Sequence, residues 1–590
     1  MKLEDLPNIE FDLIKDSNDL KQMVGKYSSD LFLADIAQLA IMESNPRINM
    51  YPFQGLDSPY RQLAYLASLN ISSSLDEIAE AEVNTDEDWK NIVVQSIKVR
   101  GGYYEEMLPE ENEEDLKGFN ELYQISLPVF NNYFDSSQVN FEEQELNKIK
   151  ELFIPFDIII EEATGLKVDD YLSIFDIIDN QISTNIKAPV NLLVRSSSVK
   201  EESIKNKGTH PRTWNYKGDN QDVLDVIDYF TNRKAKFTLN LEELYSKYDK
   251  EKLDLFLNEF SIKRETDENY VYYTQPNKIL LNPIFSYDGK YLVVFLKQIS
   301  HSIFRRLYNV VDSSTKRESF FGHRGKWLQD KTVELLDSYF KGNAHIYNEY
   351  KVNGKGQDVL LLHKGLALII ENKAHNEVPF SGVPNVLNIY KQYYSRFKKS
   401  IQKGYDQCWR VKDQFYFEDK FNITNDKGET LYEVTASKYP NVFSIVITLD
   451  NFRDPQINTS KLIKLNEDDD KYPLSMNIDD FEILILTLEK LKIPISTFTK
   501  YLHLREDMQG RLLTQSELDI WATFIQLPKF SIPKKSGISY SPGKDVSEIY
   551  EDLYKTGLGM KNERNIAMKK SGTFRVLYNF KNRIPVPNNR

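Results

Sequence analysis

Near the middle of the chain, three residues have the types and spacing for phosphoryl chemistry. In QDVLLLHKGLALIIENKAH, residues Gln357 to His375, Asp358 stands thirteen positions before Glu371, and Lys373 follows two later. Two carboxylates brought close together repel unless a proton or a cation sits between them. A hard divalent ion such as Mg²⁺ (or Mn²⁺) takes oxygen ligands from such a pair while keeping several waters. A lysine beside them can hold a phosphate oxygen, or orient and deprotonate an attacking water. Metal for charge, lysine for water and a backbone phosphate as electrophile together make phosphodiester hydrolysis.

The elements around these residues must supply the proximity. Two apolar runs flank Lys364-Gly365, and a two-residue turn there fixes an antiparallel register. That register sets His363 against Leu366, Leu361 against Leu368 and Val359 against Ile370. On the other face Leu362 meets Ala367 and Leu360 meets Ile369, so Asp358 falls opposite Glu371, with Lys373 projecting from the same face. Directly opposed side chains have Cβ atoms roughly 4.5–5.5 Å apart. Both hairpin faces are apolar, the mark of central strands covered on two sides.

Helices are expected on either side. KWLQDKTVELLDSYF carries Leu328, Leu335, Leu336, Tyr339 and Phe340 on one face, and Asp330, Glu334, Asp337 and Lys341 on the other. Gln329 borders the inward face. From about 384 to 415 a second helical stretch places Tyr390, Tyr393, Phe397, Ile401, Cys408 and Val411 inward, with Gln407 beside that face and Arg410 following it. Between Lys391 and Asp413 seven Lys/Arg stand against two Asp, interleaved with Tyr393, Tyr394 and Trp409. Lys398, Lys399, Lys403 and Arg410 would then form a phosphate-tracking surface.

The run GKWLQDKTVELLDSYF … EYKVNGKGQDVLLLHKGLALIIENKA … GYDQCWRVKDQF resembles the core of the PD-(D/E)xK nuclease superfamily, closest to its nuclease-related and RecB-like branches. The resemblance covers residues 320–455, through a D-x12-E-x-K core. It implies a restriction-endonuclease-like α/β fold, a mixed sheet flanked by helices. It implies that Asp358, Glu371 and the Asn372 backbone carbonyl are metal ligands, and that Lys373 is the catalytic lysine. Gln407 matches the family's glutamine. Gln329 stands where the family often has a glutamate, which departs from the pattern of a third acidic ligand. The implied activity is Mg²⁺- or Mn²⁺-dependent endo- or exonucleolytic cleavage, of DNA in preference to RNA, leaving 5′-phosphate and 3′-hydroxyl ends. By analogy the setting is bacterial defence against phage or plasmids. The alternative is a nucleic-acid-binding or assembly protein with a residual nuclease fold.

Composition bounds these readings. A chain of 590 residues is expected to hold about two to four domains. Its net charge of −13 argues against a surface that coats nucleic acid throughout, leaving room for a local basic track. One cysteine, Cys408, excludes an internal disulfide and any multi-cysteine metal site. The seven histidines have no ligand spacing, and no phosphate-binding G-x-x-x-x-G-K-[S/T] loop is present. No run is long enough to span a bilayer and no secretory pattern opens the chain, so a cytoplasmic protein without a membrane partner is expected. Its partner would be nucleic acid, with homo-oligomerisation or a regulatory defence partner as further possibilities.

Four parts are expected along the chain: a mainly helical N-terminal region (1–200), an α+β, winged-helix-like module (220–310), the nuclease-like domain (320–455) and a helical C-terminal region (465–590). The turn-rich segment 197–219 reads as a linker, and NYVYYTQ, KILLNPI and KYLVVFL read as strands. Lys561 to Arg590 holds eight Lys/Arg and one Glu, a basic tail.

Overall fold

The computed structural model describes residues 11–43, 56, 58–78, 86–107, 116–135, 141–208, 211–375, 385–514, 516–527, 530, 539–543, 546–563, 578–579 and 584–585. Most of the basic tail lies outside them. The protein is mixed α/β and divides into two units. One holds residues 1–110, 153–315 and 380–385; the other holds 111–152, 316–379 and 386–590.

The first unit is helical apart from one small sheet. Helices Ser29–Glu43 and Pro59–Ile71 read as helices from their apolar spacing, and Leu33, Ile36, Leu63 and Leu66 on them are fully buried. The three-stranded sheet joins Ser261–Ile262, Ile284–Tyr287 and Lys290–Val293. Three sequence expectations fail here. KILLNPI begins as the short helix Lys278–Leu281, which Asn277 caps by accepting from Leu280 N at 3.0 Å, and only its last residue, Ile284, is in a strand. NYVYYTQ forms turns, because Gln275 Oε1 accepts from Val271 N (2.8 Å) and Tyr272 N (2.7 Å), donors that a strand partner would otherwise take. The segment read as a linker contains helix Ser197–Lys205, which Ser196 caps by accepting from Val199 N; Val199 and Trp214 are buried together with Val223 and Val226.

The second unit carries a seven-stranded mixed sheet. Its strands are β1 (His345–Val352), β2 (Lys355–His363), β3 (Leu366–Lys373), β4 (Lys420–Thr424), β5 (Thr430–Thr435), β6 (Asn441–Thr448) and β7 (Leu474–Asn477). Their order is β7-β6-β3-β2-β1-β4-β5, with β7, β6 and β3 mutually parallel and the rest antiparallel. The flanking helices that matter to the site are α1 (Glu142–Phe153), α2 (Arg317–Phe340), α3 (Val386–Phe397), α4 (Lys403–Phe417) and α5 (Ile478–Lys490). A π-turn over Lys398–Gln402 joins α3 to α4.

β2 and β3 pair in the expected register, from His363↔Leu366 to Val359↔Ile370. Lys364 and Gly365 both have positive φ (+35° and +84°), as a two-residue hairpin turn of this hand requires. The pair is central, and its two faces enter separate cores. Val359, Leu361, Leu368 and Ile370 pack with α2 and α5, while Leu360, Leu362, Ala367 and Ile369 pack with Cys408, Val411 and Phe415 of α4. Each fully buried aliphatic side chain contributes roughly 1.5–3 kcal/mol, so this hairpin is the rigid centre of the unit.

The second unit extends beyond the expected 320–455 domain at both ends. β7 is an edge strand of the same sheet, and its four residues are all buried. Helices Ile495–Met508 and Glu517–Gln526 contribute Tyr501, Leu502, Trp521 and Ala522 to the core that holds Val359 and Ile370. The described part of the 465–590 region therefore belongs to this body. At the other end α1 joins it, with Lys148 Nζ 2.6 Å from Asp479 Oδ2 and Gln144 Nε2 donating to Glu482 Oε2 at 2.8 Å. Among the described residues, no helix is long and apolar enough to cross a membrane.

Candidate catalytic centre

The site begins at a break in the sheet. β1 and β2 pair at Asn348↔Val359 and again at Tyr350↔Gln357, but not in between, where Glu349 stands in line with Asp358. Glu349 has a φ of +52°, a left-handed conformation uncommon for a residue with a side chain, and it turns the strand out of the ladder. The β2–β3 ladder likewise ends one residue short of Asp358 and Glu371. The Asp358 peptide groups are thus outside both ladders, and side chains satisfy them instead. Asp358 N donates to Glu371 Oε1 at 3.1 Å, and Asp358 O accepts from Gln329 Nε2 at 3.1 Å. In turn Asp358 Oδ2 accepts from Asn372 N at 2.6 Å.

Asp358, Glu371, Lys373 and the Asn372 carbonyl come together. Lys373 Nζ donates to Glu371 Oε2 (2.8 Å) and to Asn372 O (3.3 Å), and lies 3.7 Å from Asp358 Oδ2. The ammonium is ringed by the three oxygens that the resemblance assigns to a metal. Glu371 is fully buried, whereas the Asp358 side chain is 28% exposed. Burial, reinforced by the charge of Asp358 and opposed by Lys373, pushes the Glu371 carboxyl up to about 7. Burial works to lower the Lys373 ammonium, but Glu371 and Asp358 outweigh it and hold its pKa above the ordinary lysine value.

Helix α2 supports both strands from below. Gln329 also donates to Asn348 Oδ1, and Thr332 Oγ1, one turn on, donates to Asn372 Oδ1 at 2.8 Å. Gln329 therefore holds the Asp358 backbone and does not reach the carboxylates. From the other side α4 crosses close to the lysine at Gly404. A Cβ there would stand 2.8 Å from Val446 Cγ1 and 3.4 Å from Lys373 Cε. Cys408 Sγ, one turn further, donates to Ile369 O (3.5 Å) and Ile445 O (3.6 Å).

The remaining predicted residues separate. Lys399 and Lys403 are exposed; the His375 pKa falls below the usual histidine value through burial first and then through the charges of Lys373, Lys403, Arg324 and Lys399. Lys398 lies on a different side, beside a cavity lined by Tyr394 and Trp409. Arg410 Nε donates to Asp406 O at 3.4 Å. Gln407 is half-buried with no hydrogen bond to the carboxylates, and its Oε1 has no partner among the described residues.

Sequence reasoning missed Asn348 and Glu349 because it missed β1, and missed Thr332, on the expected helix, because its partner Asn372 is 40 positions away. The signal was present in Asn353-Gly354, a two-residue hairpin turn with φ of +49° and +71° closing Val352↔Lys355. Among the described residues, no group of three or more His, Cys, Asp and Glu side chains gathers to hold a metal. Two carboxylates and one carbonyl are what the centre offers. Comparison with protein-family models, curated proteins and solved structures gives no match, so the reading rests on this geometry.

Proposed function

We propose that the second unit is a metal-dependent nuclease of the PD-(D/E)xK, restriction-endonuclease-like kind, acting on DNA in preference to RNA. The observation that carries this is the convergence of Asp358 Oδ2, Glu371 Oε2 and Asn372 O on a cation, the Lys373 ammonium. Three oxygens in a partly buried cluster, already stabilising one positive charge, fit Mg²⁺ or Mn²⁺. When bound, such an ion supplies Lewis-acid stabilisation of the charge developing on the phosphate oxygens.

The chain's own residues do the rest. The exposed Lys399 and Lys403, whose charges act on His375, attract the phosphate backbone. Lys373 orients the attacking water. An O–P bond forms to that water, the P–O3′ bond breaks, and one proton of the water passes to the leaving 3′ oxygen, giving 5′-phosphate and 3′-hydroxyl ends. Gln329 and Glu371 keep Asp358 in place through its peptide groups. The biological setting proposed is defence against invading DNA, by analogy with nucleases that carry large flanking regions.

A second reading, a nucleic-acid-binding protein with a residual nuclease fold, draws on Gln329, an amide committed to Asn348 and the Asp358 backbone where the family pattern often has a glutamate. Metal-titrated cleavage of plasmid, linear duplex, single-stranded DNA and RNA separates the two. Cleavage that requires Mg²⁺ or Mn²⁺ and falls by two orders of magnitude or more in Glu371→Ala and Lys373→Ala, with unchanged circular dichroism, is expected. Full activity in Glu371→Ala sinks the nuclease assignment.

A further inference from the structure

A second site lies on another face of the α3–α4 helix. Gln402, Asp406 and Trp409, at helical spacing, form one wall of a cavity of about 660 Å³, and the 462–468 loop forms the other. That volume is in the range of small-molecule sites. The wall is built by specific contacts. The Gln402 carboxamide stands in for a peptide group: its Oε1 accepts from Lys464 N at 2.9 Å and its Nε2 donates to Lys464 O at 3.1 Å. The Tyr405 hydroxyl accepts from Asn466 N at 3.0 Å, and Asp469 closes the loop through a fully buried ion pair with Lys412 at 2.8 Å.

The lining has a distinct chemistry. Tyr394 is stacked on Tyr390 (5.6 Å between ring centres, planes 7° apart) and is 39% exposed. Trp409 is braced edge-on by Tyr416 at 6.0 Å. Lys398, Lys464, Glu467 and Asp468 also line the cavity, and none forms an ion pair among the described residues. Aromatic faces, unpaired carboxylates and unpaired ammonium groups together suit a flat ring bearing N–H donors, linked to one anion.

We propose that this cavity binds a single nucleotide unit. The base stacks on Tyr394 and Trp409, Glu467 and Asp468 accept from its N–H edge, and Lys398 and Lys464 hold its phosphate. With Asp406 added, three carboxylates face two ammonium groups, which favours one phosphate over a triphosphate. The unit can be an unpaired nucleotide in a strand or a free mononucleotide, and the chemistry is the same.

The test uses the full chain in chelator, where no cleavage occurs. Tryptophan fluorescence and calorimetry follow titration with GMP, AMP, a short single-stranded oligonucleotide and the matching duplex. Saturable binding is expected, weakened roughly tenfold or more by Trp409→Ala, the loss of one stacked base, and comparably by the exposed-loop variant Lys464→Glu. In the GMP and AMP titrations Lys373→Met should leave it unchanged. Saturation by free mononucleotides assigns an effector pocket, and saturation by the single strand alone assigns a substrate-tracking subsite; either supports the proposal. No saturable binding at millimolar ligand, binding of duplex alone, or binding that survives both Trp409→Ala and Lys464→Glu overturns it. Because metal and cleavage are absent, the nuclease reading can fail while this site stands, and the reverse.

Discussion

Glu371 is a buried carboxyl whose proton competes with whatever cation it is meant to hold. Its pKa of about 7 comes from burial first and from Asp358 second, with Lys373 opposing. The sign follows directly: divalent-ion binding should weaken as pH falls through 7, by about tenfold per pH unit below it for one competing proton. Calorimetric Mg²⁺ titrations between pH 5.5 and 8.5 check this, and a flat profile would remove Glu371 from the ligand set. The same shift acts on stability. The folded value lies above the ordinary 4.5, so this carboxyl's contribution is fully present below that value and is lost as pH rises through 7. The lysine adds a second consequence, since its ammonium stands among the oxygens an ion would use. At pH 8, without nucleic acid, Lys373→Met should bind Mg²⁺ more tightly than the parent chain while losing cleavage; weaker or equal binding would show that the ammonium is not in the way. The sequence located both carboxylates and the lysine. It could not place the ammonium between them, because that depends on the side chain folding back along its own strand.

At the level of elements, the two-residue turn at Lys364-Gly365 made the hairpin register legible, since turn type and loop length fix the pairing even where both faces are apolar. HIYNEYKV was not legible as a strand. It mixes polar and aromatic residues without alternation, and Glu349 takes a left-handed conformation within it. β7 was hidden for another reason: LSMN is too short for a period to show, and only the neighbouring strand gives it a partner. Helix α4 was expected, but not how near it passes. Gly404→Ala places a Cβ against Val446 and Lys373, and should cost about 1–3 kcal/mol of stability, as overpacked cores do. Urea unfolding of the purified variant measures this. A neutral result would mean that α4 can shift away from the sheet without penalty.

For the whole molecule, chain order and body do not coincide. The sequence divides naturally before residue 320, yet α1 belongs with the sheet through Lys148 and Asp479, 331 positions apart. No local pattern announces a pairing over that distance. Removing one member of such a buried pair typically costs about 3–5 kcal/mol, so Lys148→Ala should lower the thermal midpoint measurably. Deleting residues 1–300, which takes α1 away, should unfold the second unit; a folded, active truncation would contradict this. The same dependence on distant partners governs the order in which the centre can form. Asp358 is held through its peptide groups by Gln329, 29 positions before it, and by Glu371, 13 positions after it. A newly made chain can therefore close its apolar hairpin early, by local contacts, while the acid at its mouth stays unset until the long helix docks. Competence for chemistry arrives with the docking of that helix, and not with the closing of the hairpin.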